Sequence, residues 1–294
     1  MRASWLRDYV VSGSRLLTAA ALLASVFLAL LSSSCKESAP AKLRFVDSNA
    51  SRPQETGKSG LVVVTHGWIE KGSDAWPEQM ASAISSRVDA NSWRCAYFDW
   101  RDGAGTVNPT EAARYAREVA GPKLATQILE AGDEWRHIHL LGHSAGCWLI
   151  CEAAKILAAK TDADLHLTFF DAYVPPFWQA ELLGEFAATD AKCWAEQYYT
   201  RDLTLEWTQV DLPFAHNVDV TAVNGVVKDH NFPWQWYYAT VVGQYRRGSI
   251  LHSGEPAQIA DGVEYGFSRS REAAGWQESL RLPVGRTVKL KKEP

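Results

Sequence analysis

Residues 137–150 read HIHLLGHSAGCWLI, and the character of the chain changes at one serine within them. Residues 137–141 alternate and are apolar enough for a buried strand, whereas residues 145–159 carry apolar side chains at helical spacing. Ser144 therefore sits where a strand becomes a helix. Gly142 and Gly146 flank it at the two positions where a side chain would collide with neighbouring backbone in so sharp a turn. A G-x-S-x-G pentapeptide between a strand and a helix reads as a nucleophile elbow, a strained turn that lifts a serine hydroxyl above the end of a sheet.

Working outward, residues 61–65, LVVVT, form the continuous apolar run of a buried parallel strand and stop in His66, Gly67 and Trp68. A strand ending in His-Gly-aromatic lets backbone approach a substrate. The Trp68 N–H is thus expected to supply one donor of an oxyanion hole, and the Ala145 N–H the other. Residues 75–88 read as a helix opening with Trp76-Pro77, since proline suits a first turn. Residues 93–100 read as a strand, and 111–131 as a helix kinked or split at Gly121-Pro122. Residues 165–170, LHLTFF, read as a strand that delivers Asp171, and WAEQYYTRD as one that closes on Asp202. A strand over 217–223, a loop over 224–229 and an aromatic helix from Phe232 follow, and 263–267 and 286–290 suit edge strands or a hairpin. Strands alternating with helices predict an α/β fold, a mostly parallel central sheet with helices on both faces, in a single domain over 59–294. Ligands of such sheets bind beyond the carboxyl ends of the strands, where Trp68, Ser144 and Asp171 all fall.

At the N-terminus, Arg2, Arg7 and Arg15 precede an apolar run over 16–31 that closes on Ser32, Ser33, Ser34 and Cys35. Residues 1–35 have the layout of an export signal, and the run is shorter than the roughly 20 residues a membrane span needs. Two endings stay open: a bacterial lipoprotein signal with lipidation at Cys35, or secretion after cleavage near Ser34. The protein is accordingly expected in the cell envelope on a lipid anchor, or in the periplasm or medium. Residues 36–58, rich in Ser, Pro, Ala and charge, read as a linker. Residues 1–35 carry three of the 30 basic and one of the 34 acidic side chains, which leaves 27 and 33 and a formal charge of -6 beyond them. No basic patch is implied, and nucleic acid is not an expected partner. Cys147 and Cys151, one helical turn apart, read as buried free thiols, while Cys95 and Cys193 leave a bridge open. No spacing of cysteine and histidine supports a metal site, and none is expected.

Five blocks now stand in order: VTHGW at 64–68, YFDWRDGAG at 97–105, HLLGHSAG at 139–146, FFDAYVPPF at 169–177 and DHNFPWQWYY at 229–238. Together they resemble the successive blocks of the pancreatic-lipase-like branch of the α/β-hydrolase superfamily. The resemblance implies an α/β-hydrolase fold, serine lipase or esterase chemistry without a cofactor, a nucleophile at Ser144, an acid at Asp171 in an Asp-x-x-x-Pro block and a histidine at His230. The chain lacks the cysteine pair that closes the lid of animal lipases, and it has Ala-Tyr-Val where the family continues Pro-Ala.

The residues support the same chemistry directly. A serine hydroxyl is a poor nucleophile near neutral pH and needs a base within hydrogen-bond reach, itself held by a carboxylate. The order serine, acid, histidine fits His230, on the loop before the aromatic helix, and also His216. For the acid, Asp171 and Asp202 both end strands beyond the elbow. Residues 174–205, with Pro175, Pro176, Phe177 and Trp178, read either as a cap over an apolar pocket or as a connector packed on the core. The function expected is an exported serine hydrolase that cleaves small-molecule or lipid carboxylic esters through an acyl-enzyme on Ser144. The alternatives are hydrolysis of an amide or thioester, or a catalytically silent binding protein of the envelope. Against silence stands the retention of a strained elbow. The sequence sets no oligomeric state.

Overall fold

The computed structural model describes residues 41–46, 59–68, 75–131, 134–188, 190–201, 206–223, 230–247, 250–253, 265–267, 270 and 281–290. Residues 1–35 with Cys35, Asp202 and the loop 224–229 lie outside these. None of the described helices is long and apolar enough to cross a membrane.

In chain order the elements are β1 (Lys42–Phe45), β2 (Ser59–Thr65), α1 (Trp76–Ser85), β3 (Trp93–Asp99), α2 (Arg101–Ala104), α3 (Pro109–Tyr115), a π-helical turn (Ala116–Ala120) and α4 (Gly121–Glu130). They continue with β4 (Trp135–His143), α5 (Gly146–Ala158), β5 (Asp164–Phe170), β6 (Cys193–Tyr199), β7 (His216–Asp219), α6 (Phe232–Val242), the β8–β9 pair (Gln244–Arg247 and Ile250–Ser253) and β10 (Thr287–Lys289). Eight strands form one sheet in the order β1-β3-β2-β4-β5-β6-β7-β10. Only β1 runs antiparallel to its neighbour; β8 and β9 form a separate antiparallel pair.

The elements follow from local chemistry. Proline occupies the first turn of α1, α3 and α6, where its missing N–H is not needed. Asn108 caps α3 by accepting from the Thr110 N–H at 2.8 Å. The helix expected over 111–131 is split as its sequence suggests, through a π-helical turn that ends just before Gly121-Pro122. Gly121 is needed there because α4 crosses α5 closely: a Cβ would lie 2.8 Å from the Leu149 carbonyl oxygen. Covered by the sheet on one side and α4 on the other, α5 is apolar almost all round, with Leu149, Ile150 and Leu157 fully buried. Each such side chain contributes about 1.5–3 kcal/mol relative to exposure. One core fills the face toward α3, α4 and α5, and a second the face toward α1 and α6.

Three expectations need correction. The linker 36–58 contains β1, which pairs along β3 from Lys42↔Asp99 to Phe45↔Ala96 because alternate residues Leu43 and Phe45 turn apolar side chains to the core. The cap 174–205 contains β6, an interior strand buried at every position, so no cap extends across that segment. In its first part, short 3-10 turns over Ala180–Leu182 and Glu185–Ala188 pack against the core through fully buried Leu183, as a connector does. The strand expected over 217–223 stops at Asp219, whose carboxylate accepts from the Thr221 N–H at 3.0 Å and turns the chain. Of the suggested late edge strands, 286–290 holds β10 at Thr287–Lys289, extending the main sheet in parallel beside β7, while residues 263 and 264 lie outside the described residues. Cys95, Cys147, Cys151 and Cys193 are buried thiols in no disulfide. Cys95 on β3 and Cys193 on β6 are separated by β2, β4 and β5, roughly 19 Å at the spacing of paired strands, which no disulfide spans.

Candidate active site

The elbow is built where β4 ends. Ser144 has φ +53°, a left-handed conformation that strains any residue but glycine. Backbone bonds hold it there: the Ser144 N–H donates to the Phe170 carbonyl at 2.9 Å, and the Ser144 carbonyl accepts from Cys147 N–H at 3.1 Å as α5 begins. The flanking glycines are obligatory for packing. A Cβ on Gly142 would lie 2.8 Å from the Gly146 carbonyl oxygen, and one on Gly146 would lie 2.3 Å from that of His66.

The turn after β2 lies directly against this elbow. A Cβ on Gly67 would meet the Ser144 Cβ at 2.7 Å and the His143 carbonyl oxygen at 2.8 Å, so the turn carrying the Trp68 N–H runs alongside the serine. Its position is fixed from β3: the Trp100 indole N–H donates to the His66 carbonyl at 2.9 Å, and the Trp100 backbone N–H to His66 Nε2 at 3.2 Å. The Trp68 indole donates to the Thr106 carbonyl at 2.7 Å. Ala145, the other expected donor, is buried at the head of α5.

Asp171 ends β5 with φ +46°, a second left-handed non-glycine residue at the same edge of the sheet. Its carboxylate is fully buried, accepts from the Thr200 N–H at 2.9 Å through Oδ1, and lies 2.6 Å from His230 Nδ1 through Oδ2. Burial pushes the Asp171 carboxyl above its ordinary value, while the hydrogen bond and charge of His230 and the Thr200 N–H act against that rise. The His230 side chain is 32% exposed. A buried carboxylate bound to Nδ1 of a partly open imidazole leaves Nε2 as the nitrogen available for proton transfer.

The open alternatives separate clearly. His216 opens β7 in register with Glu196 in the middle of β6, away from the strand end that carries Asp171, with Nδ1 3.0 Å from the Pro283 carbonyl and its ring stacked on Tyr265. The structure brings His230, not His216, to Asp171. Most of the tryptophans near the motif blocks line the core: Trp148 meets Trp178 edge-on behind α5, and Trp234 stacks on Trp76.

The reading of the sequence missed one polar cluster. His139, His166 and Glu196, adjacent on β4, β5 and β6, are fully or almost fully buried on one face, with donor atoms within 4.8 Å of one another. The Thr168 hydroxyl lies 2.7 Å from His139 Nε2 and donates to Glu196 Oε1 at 2.8 Å. His166 Nε2 and the Ser270 hydroxyl meet the same oxygen, and the Tyr198 hydroxyl donates to the other at 3.1 Å. Burial pushes the Glu196 carboxyl up, but these bonds outweigh it and hold it below the usual value. The set has metal-ligand chemistry, yet the two imidazoles stack in parallel at 3.8 Å and 6°, so their lone pairs point side by side rather than converging on one point. His139 lies five residues before Ser144 along β4, roughly 16 Å away, and Glu196 is level with Leu141. A glutamate inside an otherwise buried strand, WAEQYY, was the signal for it.

A family model described as Lipase matches residues 33–194, more than half of the chain. The chain belongs to the Lipase family. This lipase-family chain is 32% identical over 118 residues to pancreatic lipase-related protein 2 of Sus scrofa, covering 39% of itself and 23% of that protein. It is 35% identical over 98 residues to the Rattus norvegicus protein of the same name, covering 32% of itself and 20% of the relative. The chain thus spans under a quarter of the length of these relatives. Among solved structures it is similar to a poly(3-hydroxybutyrate) depolymerase from Bordetella parapertussis, at 16% identity and a TM-score of 0.39, over 68% of this chain and 82% of the other. The mostly parallel sheet, helices on both faces and strand–turn–helix elbow are those of the α/β-hydrolase fold.

Proposed function

We propose that the protein is an exported serine hydrolase that cleaves carboxylic esters through an acyl-enzyme on Ser144. The observation that carries this reading is a strained Ser144 at the end of β4 beside the 2.6 Å Asp171–His230 pair at the end of neighbouring β5, with His143, next to the serine, 3.0 Å from the His230 carbonyl. In the reaction, His230 takes the serine proton as Oγ attacks the ester carbonyl, and Asp171 holds the imidazole in the tautomer that accepts at Nε2. The Trp68 and Ala145 N–H groups stabilise the negative oxygen of the tetrahedral intermediate. The proton then passes to the departing alcohol, and water attacks the acyl-enzyme in a repeat of the same steps. Membership of the Lipase family supports an ester as substrate. Export rests on residues 1–35, with Cys35 as the site of a lipid anchor.

The test is hydrolysis of aryl esters of increasing acyl length, below and above the concentration at which each aggregates, with Ser144→Ala as the blank. Fluorophosphonate labelling that requires Ser144 is the expected companion result. Activity confined to short soluble esters defines a carboxylesterase, and activity that rises on aggregated long esters a lipase. Equal rates for wild type and Ser144→Ala on every ester would refute the acyl-enzyme. Labelling of Cys35 with a radioactive fatty acid in cells, lost in Cys35→Ser, tests the anchor.

A further inference from the structure

Among the described residues the proposed base is held at its ring by one hydrogen bond, between Nδ1 and Asp171. A single bond leaves the residue free to pivot about the N···O line, and productive geometry for proton transfer tolerates little of that. A second fixed point comes from an unexpected quarter, the residue preceding the nucleophile. His143 Nε2 lies 3.0 Å from the His230 carbonyl oxygen. A carbonyl can only accept, so Nε2 carries the hydrogen and donates.

The rings of His143 and His230 also pack, with centroids 4.5 Å apart at 41°. On its other side His143 meets Trp76 edge-on at 6.1 Å, and Trp76 stacks on Trp234 at 4.4 Å. The Trp234 indole donates in turn to Asn231, the residue after His230. The contacts form a closed circuit from the elbow through α1 and α6 and back to the base. Burial, with neighbouring His230 adding to it, holds the His143 imidazole well below its ordinary range, so it stands beside the base as a neutral donor.

We infer that His143 is a positioning residue for the base, tying the backbone of His230 to the nucleophile elbow through its Nε2–H. The inference rests on the Ser144–His230–Asp171 reading above. Its role is separate from that of Asp171: the carboxylate sets the rotation of the ring, and His143 sets where the ring is hung. A bond fixed to the strand that also ends in Ser144 keeps nucleophile and base in one rigid frame.

The test uses three variants of the full chain. His143→Phe keeps a ring and loses the donor; His143→Asn loses the donor without added bulk, its amide falling one methylene short; His143→Gln keeps an N–H at nearly the reach of Nε2. The expected result is a fall in kcat of about 10–100-fold for Phe and Asn, the size of a misplacement near 1 Å. KM should stay within about two-fold, and Gln should recover most of the loss, because the donor rather than the ring is what positions. Melting temperature, read alongside, separates packing damage from misplacement; if Phe does not fold, Asn carries the comparison. Unchanged kcat in the donor-less variants would overturn the inference, and so would a Gln variant as impaired as Asn. Both of those outcomes leave Ser144 dependence intact. Hydrolysis that survives in Ser144→Ala would instead sink the acyl-enzyme reading and this inference with it.

Discussion

Replacing Gly67 with alanine would place a carbon 2.7 Å from the Ser144 Cβ and 2.8 Å from the His143 carbonyl oxygen. Carbon atoms pack best at about 3.5–4.0 Å, so the turn after β2 must withdraw from the elbow by roughly 1 Å. The elbow cannot yield instead, because Gly146 is already closed against the His66 carbonyl. Withdrawal carries the Trp68 N–H beyond good hydrogen-bond distance from an oxyanion on Ser144. Loss of one such donor lowers kcat by about 10²–10³-fold, or roughly 2.7–4 kcal/mol. Overpacking lowers stability by about 1–3 kcal/mol, which for a chain of this size is a drop in Tm of roughly 2–12 °C. Ester hydrolysis under saturating substrate, measured with thermal unfolding on the same preparations, reads both quantities. A variant with Tm lowered but kcat within about three-fold of wild type would refute the placement of the oxyanion donor on this turn. Gly146→Ala, with only 2.3 Å to backbone, serves as the contrast and should lose the fold before it loses a single donor.

Asp171→Asn should leave the fold in place while lowering kcat by roughly 10⁴-fold, since an amide no longer selects the tautomer that accepts at Nε2; a loss under ten-fold would point to another acid. Glu196→Leu strands His166 and three hydroxyl groups in the core and should cost about 3–5 kcal/mol in denaturant unfolding. Fluorophosphonate labelling of its folded fraction should match wild type, given the distance to Ser144; a stable Leu variant would show the cluster to be dispensable. Acid should unfold the protein early. Burial holds His137, His139, His143 and His166 below their ordinary value, so the unfolded chain binds more protons as pH falls past about 6.5. Each group contributes a slope of up to about 1.4 kcal/mol per pH unit, and the loss continues until its lowered folded value is reached. Glu196, also held down, adds to the loss as pH drops through the carboxylate range. Unfolding midpoints measured from pH 7.5 to pH 5 should therefore fall steadily, and a flat profile would contradict the burial of these imidazoles.

The end of the fold that carries the candidate site was legible because its constraints are local. Gly142, Ser144 and Gly146 announce the elbow, since only glycine fits those two approaches, and LVVVT before His-Gly-Trp marks the strand that brings up the turn beside it. Chain order left His216 beside His230 and Asp202 beside Asp171; the block resemblance pointed to His230 and Asp171, and the structure pairs those two. What the sequence concealed depends on partners distant along the chain. Residues 42–45 look like any polar spacer until β3 supplies a neighbour, and the proline-rich stretch before β6 resembles a cap although WAEQYYTRD itself reads as a strand. His139 and His166 read as isolated strand histidines because nothing near either in the sequence announces that β6 brings Glu196 up beside them. The short extent of β7 likewise turns on one carboxylate, Asp219, bonding two residues ahead.

The four interior thiols set a condition on how this protein is made. Each is sealed in the finished fold: burial raises Cys151 to about 11 and Cys193 to about 12, and Cys147, pushed well above its ordinary value, donates to the Gly142 carbonyl beneath the elbow. In that state none of these three supplies the thiolate that disulfide exchange requires. Before the sheet closes all four are open, at ordinary reactivity. In an oxidising compartment the outcome becomes a race between chain closure and oxidation, and a bond captured early by Cys147 would leave no room for the turn on which Ser144 stands.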